Sequence, residues 1–181
     1  MTDFRTDVLR VTRSADEAVA ELVSAENDEM DVWTPALAGA TWERSLLVRR
    51  LDHFDGYYYI VSYLKNGIVS ARFAVDAETT DIEEIGAIET AGQSLPTFAE
   101  PSAALSRLSA LTPDDPRLSG FRFRIRPELI TLPATPTLVW KNCLESRSQL
   151  LPFYVVTVGD QSVYVRVDGQ VYPSLTDSGD A

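Results

Sequence analysis

Apolar residues recur along this chain with two periods, and the change from one to the other marks the elements. Ala15, Ala18, Val19, Leu22 and Val23 stand at helical spacing. They predict a helix of about three turns that buries one stripe and turns Asp16, Glu17, Glu21 and Glu26 to water. Ser14 and Glu17 stand at the start of that stripe in the spacing of a capping box, where each side chain serves the other's backbone amide. Residues 7–12 (DVLRVT) read as a short opening strand, and Asp28–Gly39 as a loop broken by Pro35 and Gly39. Trp42–Leu51 then reads as a strand. Asp55-Gly56 reads as a turn whose glycine supplies a positive φ. Tyr57–Leu64 is apolar on both faces, which predicts a central strand. Asn66-Gly67 is a strong hairpin signal, Ile68–Val75 the return strand, and Ile82–Ile88 a short edge segment with an acidic outer side.

The period changes again near Leu95. Pro101 suits a first helical turn, where its missing N–H costs nothing. Ala104, Leu105, Leu108 and Leu111 continue at helical spacing, and Thr112–Pro116 ends the segment. Thr137–Cys143, Phe153–Val158, Val163–Asp168 and Val171–Tyr172 read as strands, with Gly159-Asp160 as a turn. The polar residues Ser174–Ala181 read as a frayed end.

Both halves therefore run helix, Trp-bearing strand, hairpin. Trp42 and Trp140 are offset by 98 residues, Tyr59 and Tyr154 by 95, and Asp76 and Asp168 by 92. Successive shortening by three residues is how diverged repeats differ, and an internal duplication is expected. The fold class expected is α+β: two similar helix plus antiparallel sheet halves in one compact body. The divisions are 1–94, 95–175 and a flexible tail over 176–181. The largest departure between the halves is Thr112–Pro136.

The first hairpin ends in Val75-Asp76-Ala77-Glu78-Thr79-Thr80-Asp81-Ile82. This stretch resembles the PepSY family, whose return strand closes on Val-Asp-Ala-x-Thr-Gly-x-Ile. Thr80 stands where that pattern has glycine, and the second copy keeps Val167-Asp168 before Gly169-Gln170-Val171. The resemblance implies a helix before a curved antiparallel sheet, in a non-catalytic module that binds or restrains other proteins.

Composition narrows the function classes. Sixteen Lys and Arg against 27 Asp and Glu give a formal charge of −11, which argues against nucleic-acid or anionic-membrane binding. Lys65 and Lys141 are the two lysines. The single cysteine, Cys143, excludes an intramolecular disulfide and a cysteine-rich zinc site. No stretch has signal-peptide or membrane-span character, so the chain reads as cytoplasmic. No nucleotide-loop, hydrolase or zincin motif occurs, and no cofactor or metal is expected.

The candidate site residues are few. Phe121-Arg122-Phe123-Arg124-Ile125-Arg126 alternates, so that Arg122, Arg124 and Arg126 share one strand face. Guanidinium forks pair well with carboxylates, which makes this stripe a candidate dock for an acidic segment. Tyr57, Tyr59 and Tyr63 are candidate contacts if part of the tyrosine run faces outward. His53, between Asp52 and Asp55, and Cys143 are the side chains a small enzyme would use. The leading expectation is a non-enzymatic module that binds a protein or peptide. The alternatives are a structural or assembly component, such as a phage or particle protein, and a small enzyme of unknown reaction. Homo-oligomerisation is compatible with each.

Overall fold

The structure is a computed structural model. It describes residues 11, 13–25, 34–53, 56–88, 95–98, 100–103, 106, 130–131, 137–158 and 161–178. The chain divides into two compact units, Met1–Pro96 and Thr97–Ala181. The described residues are α+β, with antiparallel strands predominating over few helices.

Among the described residues, the first element of the first unit is helix α1 (Ala15–Ala25). Its capping box is formed: the Ser14 amide donates to Glu17 Oε2 at 2.6 Å, and the Glu17 amide to Ser14 Oγ at 3.2 Å. The bonds from Ser14 hold the Glu17 carboxyl below its ordinary range. Ala18 and Leu22 are buried, with Ala15 and Val19 packed beside them. Val23 was expected in the same stripe but is 46% exposed. One residue along a helix is a turn of about 100°, which carries Val23 past the face that Leu22 buries. Helix α2 (Thr34–Leu37) is a single turn ended by Gly39 at φ +74°, inside the segment expected to be loop.

Strands β1 (Thr41–Arg50), β2 (Tyr57–Lys65), β3 (Ile68–Asp76) and β4 (Ile82–Ala87) follow as an antiparallel meander in the order β4-β3-β2-β1. Tyr59 lies across from Leu47 on β1 and Val75 on β3, which makes β2 central within this unit. At the β2–β3 turn Asn66 and Gly67 both have positive φ, 55° and 76°. That is the mirror-image turn whose twist matches the flanking strands. Gly56 corrects the expectation for the preceding turn, because its φ is not in the left-handed region. A Cβ there would lie 2.8 Å from Arg50 Cδ, so the glycine answers a close approach instead.

The second unit has helical residues at 101–103 and 106, where Pro101 opens the turn. The apolar positions Ala104, Leu105, Leu108 and Leu111 lie outside the described residues. Strands β6 (Leu138–Trp140), β7 (Phe153–Val158), β8 (Gln161–Arg166) and β9 (Val171–Tyr172) form an antiparallel meander. A short strand β5 (Ile130–Thr131), absent from the sequence reading, also pairs with β7. Phe153, Val156, Val163, Val165 and Val167 are buried here. Trp140 is 5% exposed and Trp42 45%.

Within the end expected to fray, Thr176, Asp177 and Ser178 have partners far away in sequence. The Leu144 amide donates to the Thr176 oxygen at 3.0 Å, and the Thr176 amide to Glu145 Oε2 at 2.8 Å. Ser178 Oγ donates to the Asn142 oxygen at 3.3 Å, and Lys141 pairs with Asp177. Asp177 also bridges Cys143. A polar segment near a chain end is held when partners distant in sequence satisfy it, and residues 141–145 supply them for Thr176, Asp177 and Ser178.

Candidate functional site

Strand alternation divides the tyrosine run between two faces of β2. Tyr57, Tyr59, Val61 and Tyr63 share one face. They join Ala71, Phe73 and Val75 of β3 in the core cluster that α1 and α2 enter through Ala18, Leu22 and Ala36. The exposures of Tyr57, Tyr59 and Tyr63 are 9%, 8% and 6%. Tyr63 meets the Phe73 ring edge-on at 5.9 Å between centroids, and Tyr59 Oη donates to the Arg13 oxygen at 2.9 Å. Burial pushes the Tyr59 phenol up, with the Glu17 charge adding to it. These three tyrosines are core residues, which corrects the expectation that they form an outward part of the run available for contacts. A strand with two apolar faces is covered on the face that packs against helices.

The other face of β2 carries Tyr58, Ile60 and Ser62. Arg50, at the end of β1 and 8% exposed, places its guanidinium 5.1 Å from the Tyr58 ring centroid. The same guanidinium is ion-paired with Glu83 of β4. Burial drives the Tyr58 phenol well above its ordinary range, although Arg50 opposes this. Arg72 of β3 is 3% exposed and donates from Nε to Ser62 Oγ at 3.3 Å. Burial pushes it down to about 10, still cationic near neutrality. Neither arginine drew attention in the sequence. The usable signal was a strand end, Val48-Arg49-Arg50, in which Arg50 shares its face with Val48.

Strand β4 is where this face meets the end of the sheet. Among the described residues it pairs with β3 alone. The Ile88 amide donates to the Ser70 oxygen at 2.9 Å, and Arg72 lies across from Gly86 and Ala74 across from Glu84. In an antiparallel ladder the bonded pairs alternate. The backbones of Ile88, Gly86 and Glu84 therefore turn towards β3, and those of Ile85 and Ala87 turn away from it. Ile82, Ile85 and Ala87 pack their side chains against the core cluster, which anchors the strand. Its opposite face holds Glu84 and the Arg50–Glu83 pair. The result is a six-residue strand, proline-free, whose Ile85 and Ala87 backbone groups are directed away from β3.

The remaining candidates fall elsewhere. Arg122, Arg124 and Arg126 lie outside the described residues. His53 is exposed in the bend after β1. Cys143 is fully buried, with its Sγ 3.6 Å from the Ser146 oxygen. Burial pushes that thiol up, away from the thiolate that nucleophilic chemistry needs. Beside it, Arg166 binds Asp168 through two bonds, Nε to Oδ1 at 3.0 Å and Nη2 to Oδ2 at 2.7 Å. Arg166 also donates to the Glu145 oxygen and lies 5.7 Å from the Tyr172 ring centroid. Burial opposes ionisation of Asp168, but the Arg166 fork and the Gln170 amide outweigh it and hold the carboxyl low. This assembly closes the β8–β9 turn on itself. Among the described residues no group of three or more His, Cys, Asp and Glu is placed to hold a metal ion, and no helix is long and apolar enough to cross a membrane.

Neither a protein-family model nor a curated protein matches this chain. Among solved structures it is similar to one described as a "putative lipoprotein" from Clostridium difficile 630. The identity is 13%, the match covers 82% of this chain and 90% of that one, and the TM-score is 0.26.

Proposed function

We propose that this chain is a non-enzymatic binding module that takes up an extended segment of another protein as an added strand on β4. The observation that carries the reading is the edge itself: Ile85 and Ala87 turn their backbones away from β3 on a strand anchored by its own side chains. Strand addition draws affinity from main-chain hydrogen bonds and specificity from alternate side chains. The buried, raised thiol of Cys143 and the fully engaged Arg166 fit a scaffold better than a reaction centre. The proposal includes descent of the two units from one duplicated, PepSY-like helix and sheet. Its support is that each unit, taken by itself, runs strand, hairpin and short strand, with an aspartate, Asp76 or Asp168, capping the last turn. The stripe Arg122, Arg124 and Arg126 remains in the proposal as a contact for an acidic segment.

Ala87→Pro tests the edge. Proline removes the outward N–H while leaving a small apolar side chain, and such a residue is tolerated on an edge strand. Peptides of random sequence enriched by the wild-type protein are expected to lose binding to an Ala87→Pro variant of unchanged thermal stability. Equal binding to the folded variant would remove β4 as the dock.

A further inference from the structure

The segment Thr176–Ser178 lies on residues 142–144 in the manner of an added strand. Asp177 bridges Cys143 in the antiparallel sense, which sets Thr176 opposite Leu144 and Ser178 opposite Asn142. The main chain supplies most of the hold. The Leu144 amide donates to the Thr176 oxygen at 3.0 Å, and the Thr176 amide donates to Glu145 Oε2 at 2.8 Å. Ser178 Oγ donates to the Asn142 oxygen at 3.3 Å. One contact depends on charge: Lys141 Nζ lies 2.5 Å from Asp177 Oδ1.

None of these three residues is buried, and the Asp177 side chain is 85% exposed. A stretch held by exposed polar contacts opens at low free energy while the strands beneath it stay folded. The surface beneath is firm. Lys141 follows directly on β6, whose Leu138, Val139 and Trp140 are buried, and Cys143 is fully buried. We infer that residues 141–145 form a dock for an extended, carboxylate-bearing segment of another protein, and that Thr176–Ser178 occupies it in cis as a displaceable strap. The dock is independent of β4.

The strap shows what an incoming segment must offer. It needs a main-chain carbonyl for the Leu144 amide and, at the same residue, a main-chain amide for the Glu145 carboxylate. The next residue must be Asp or Glu, to meet Lys141. Strand addition takes its affinity from such main-chain bonds and its specificity from the side chain. Charge is compatible with an acidic occupant here. Residues 97–181 hold 8 Lys and Arg against 9 Asp and Glu, whereas residues 1–96 hold 8 against 18, so the unit that carries the dock repels a carboxylate least. The strap competes from within the chain at an effective concentration on the order of millimolar. A partner in trans therefore gains most where the strap is weakened.

The experiment uses the full chain and its Asp177→Lys variant. The probes are a peptide of residues 173–178 and the same peptide with lysine in place of the aspartate. Amide exchange at Leu144 reports the strap, and exchange at Val167, whose amide donates to the Pro152 oxygen at 3.0 Å, reports the fold beneath it. Asp177→Lys is expected to speed exchange at Leu144 about fivefold, the upper end for an exposed ion pair, and to leave Val167 unchanged. The aspartate peptide at about 1 mM should restore slow exchange in the variant, and the lysine peptide should not. Unchanged exchange at Leu144, or equal acceleration at Val167, overturns the displaceable strap. Failure of the aspartate peptide to restore protection overturns the dock. Equal protection by both peptides overturns the carboxylate requirement. Light scattering of the wild-type chain should show a monomer; a dimer that keeps Leu144 protected assigns the dock to a second copy's segment and overturns the foreign partner.

Discussion

Thr80 sits at φ +68°, in the left-handed region, and it is a β-branched residue. An L side chain pays about 1–2 kcal/mol for that conformation. The turn imposes it: the Asp76 oxygen accepts from the Thr80 amide at 3.0 Å, and Asp76 Oδ1 accepts from the Glu78 and Thr79 amides at 2.8 Å each. The Asp76 amide in turn donates to the Asp81 oxygen at 2.9 Å, which fixes where β4 begins. Thr80→Gly removes the conformational cost and keeps these backbone bonds. Against the gain stands the greater freedom of glycine in the unfolded chain, about 0.5–1 kcal/mol. The lost Thr80 Oγ1 bond to the Thr79 oxygen is exposed and contributes little. The net expectation is stabilisation of the first unit by about 0.5–1 kcal/mol. Thr80→Ala is the control, since it loses the hydroxyl and keeps the unfavourable φ. Urea denaturation is the assay, with amide exchange on β2 and β3 so that the first unit is read by itself. The order expected is Gly above both Thr and Ala. Equal stability of the Gly and Ala variants, or a Gly variant below wild type, would refute the argument from strain.

Two further outcomes are expected. Tyr59→Phe removes the phenolic bond to the Arg13 oxygen and leaves the ring in the core. It should cost about 1 kcal/mol and speed amide exchange near Arg13, which thermal unfolding and exchange together would register; an unchanged variant would mean the bond contributes nothing. Asp168→Asn concerns pH. The Asp168 carboxyl is held below its ordinary value in the folded chain, so its contribution is present above the unfolded value and is lost as pH falls through the folded one. The variant should be less stable at neutral pH and show a shallower loss of stability in acid below about pH 4. Parallel acid profiles for the two proteins would show that the Arg166 fork is not the cause.

Several elements were legible because their determinants lie within a few residues. The Ser14–Glu17 box is a matter of side chains three residues apart, and it formed. The Asn66-Gly67 turn needs two positive φ angles, which those residue types supply cheaply, and both are present. The strands of the first unit matched their apolar runs to within a residue or so at most ends. The candidate site was less legible. The acidic edge segment at Ile82–Ile88 was visible as a segment. Its place at the end of the ladder, and the direction of the Ile85 and Ala87 backbones, came from the register with β3.

What the sequence by itself determined is local: which segments are strands or helix, where two turns close, and how much charge the chain carries. Tertiary structure decided whatever depends on residues far apart. It assigned Tyr57, Tyr59 and Tyr63 to the core, because α1 and α2 cover that face of β2. It brought Arg50 close against Gly56, and it tied Thr176–Ser178 to residues 142–145. It also paired Arg50 with Glu83, 33 residues away. The physical reason is the same in each case. Propensity and periodicity act along the chain, whereas burial, ion pairing and close approach act through space, and a strand's two faces look alike until something packs against one of them.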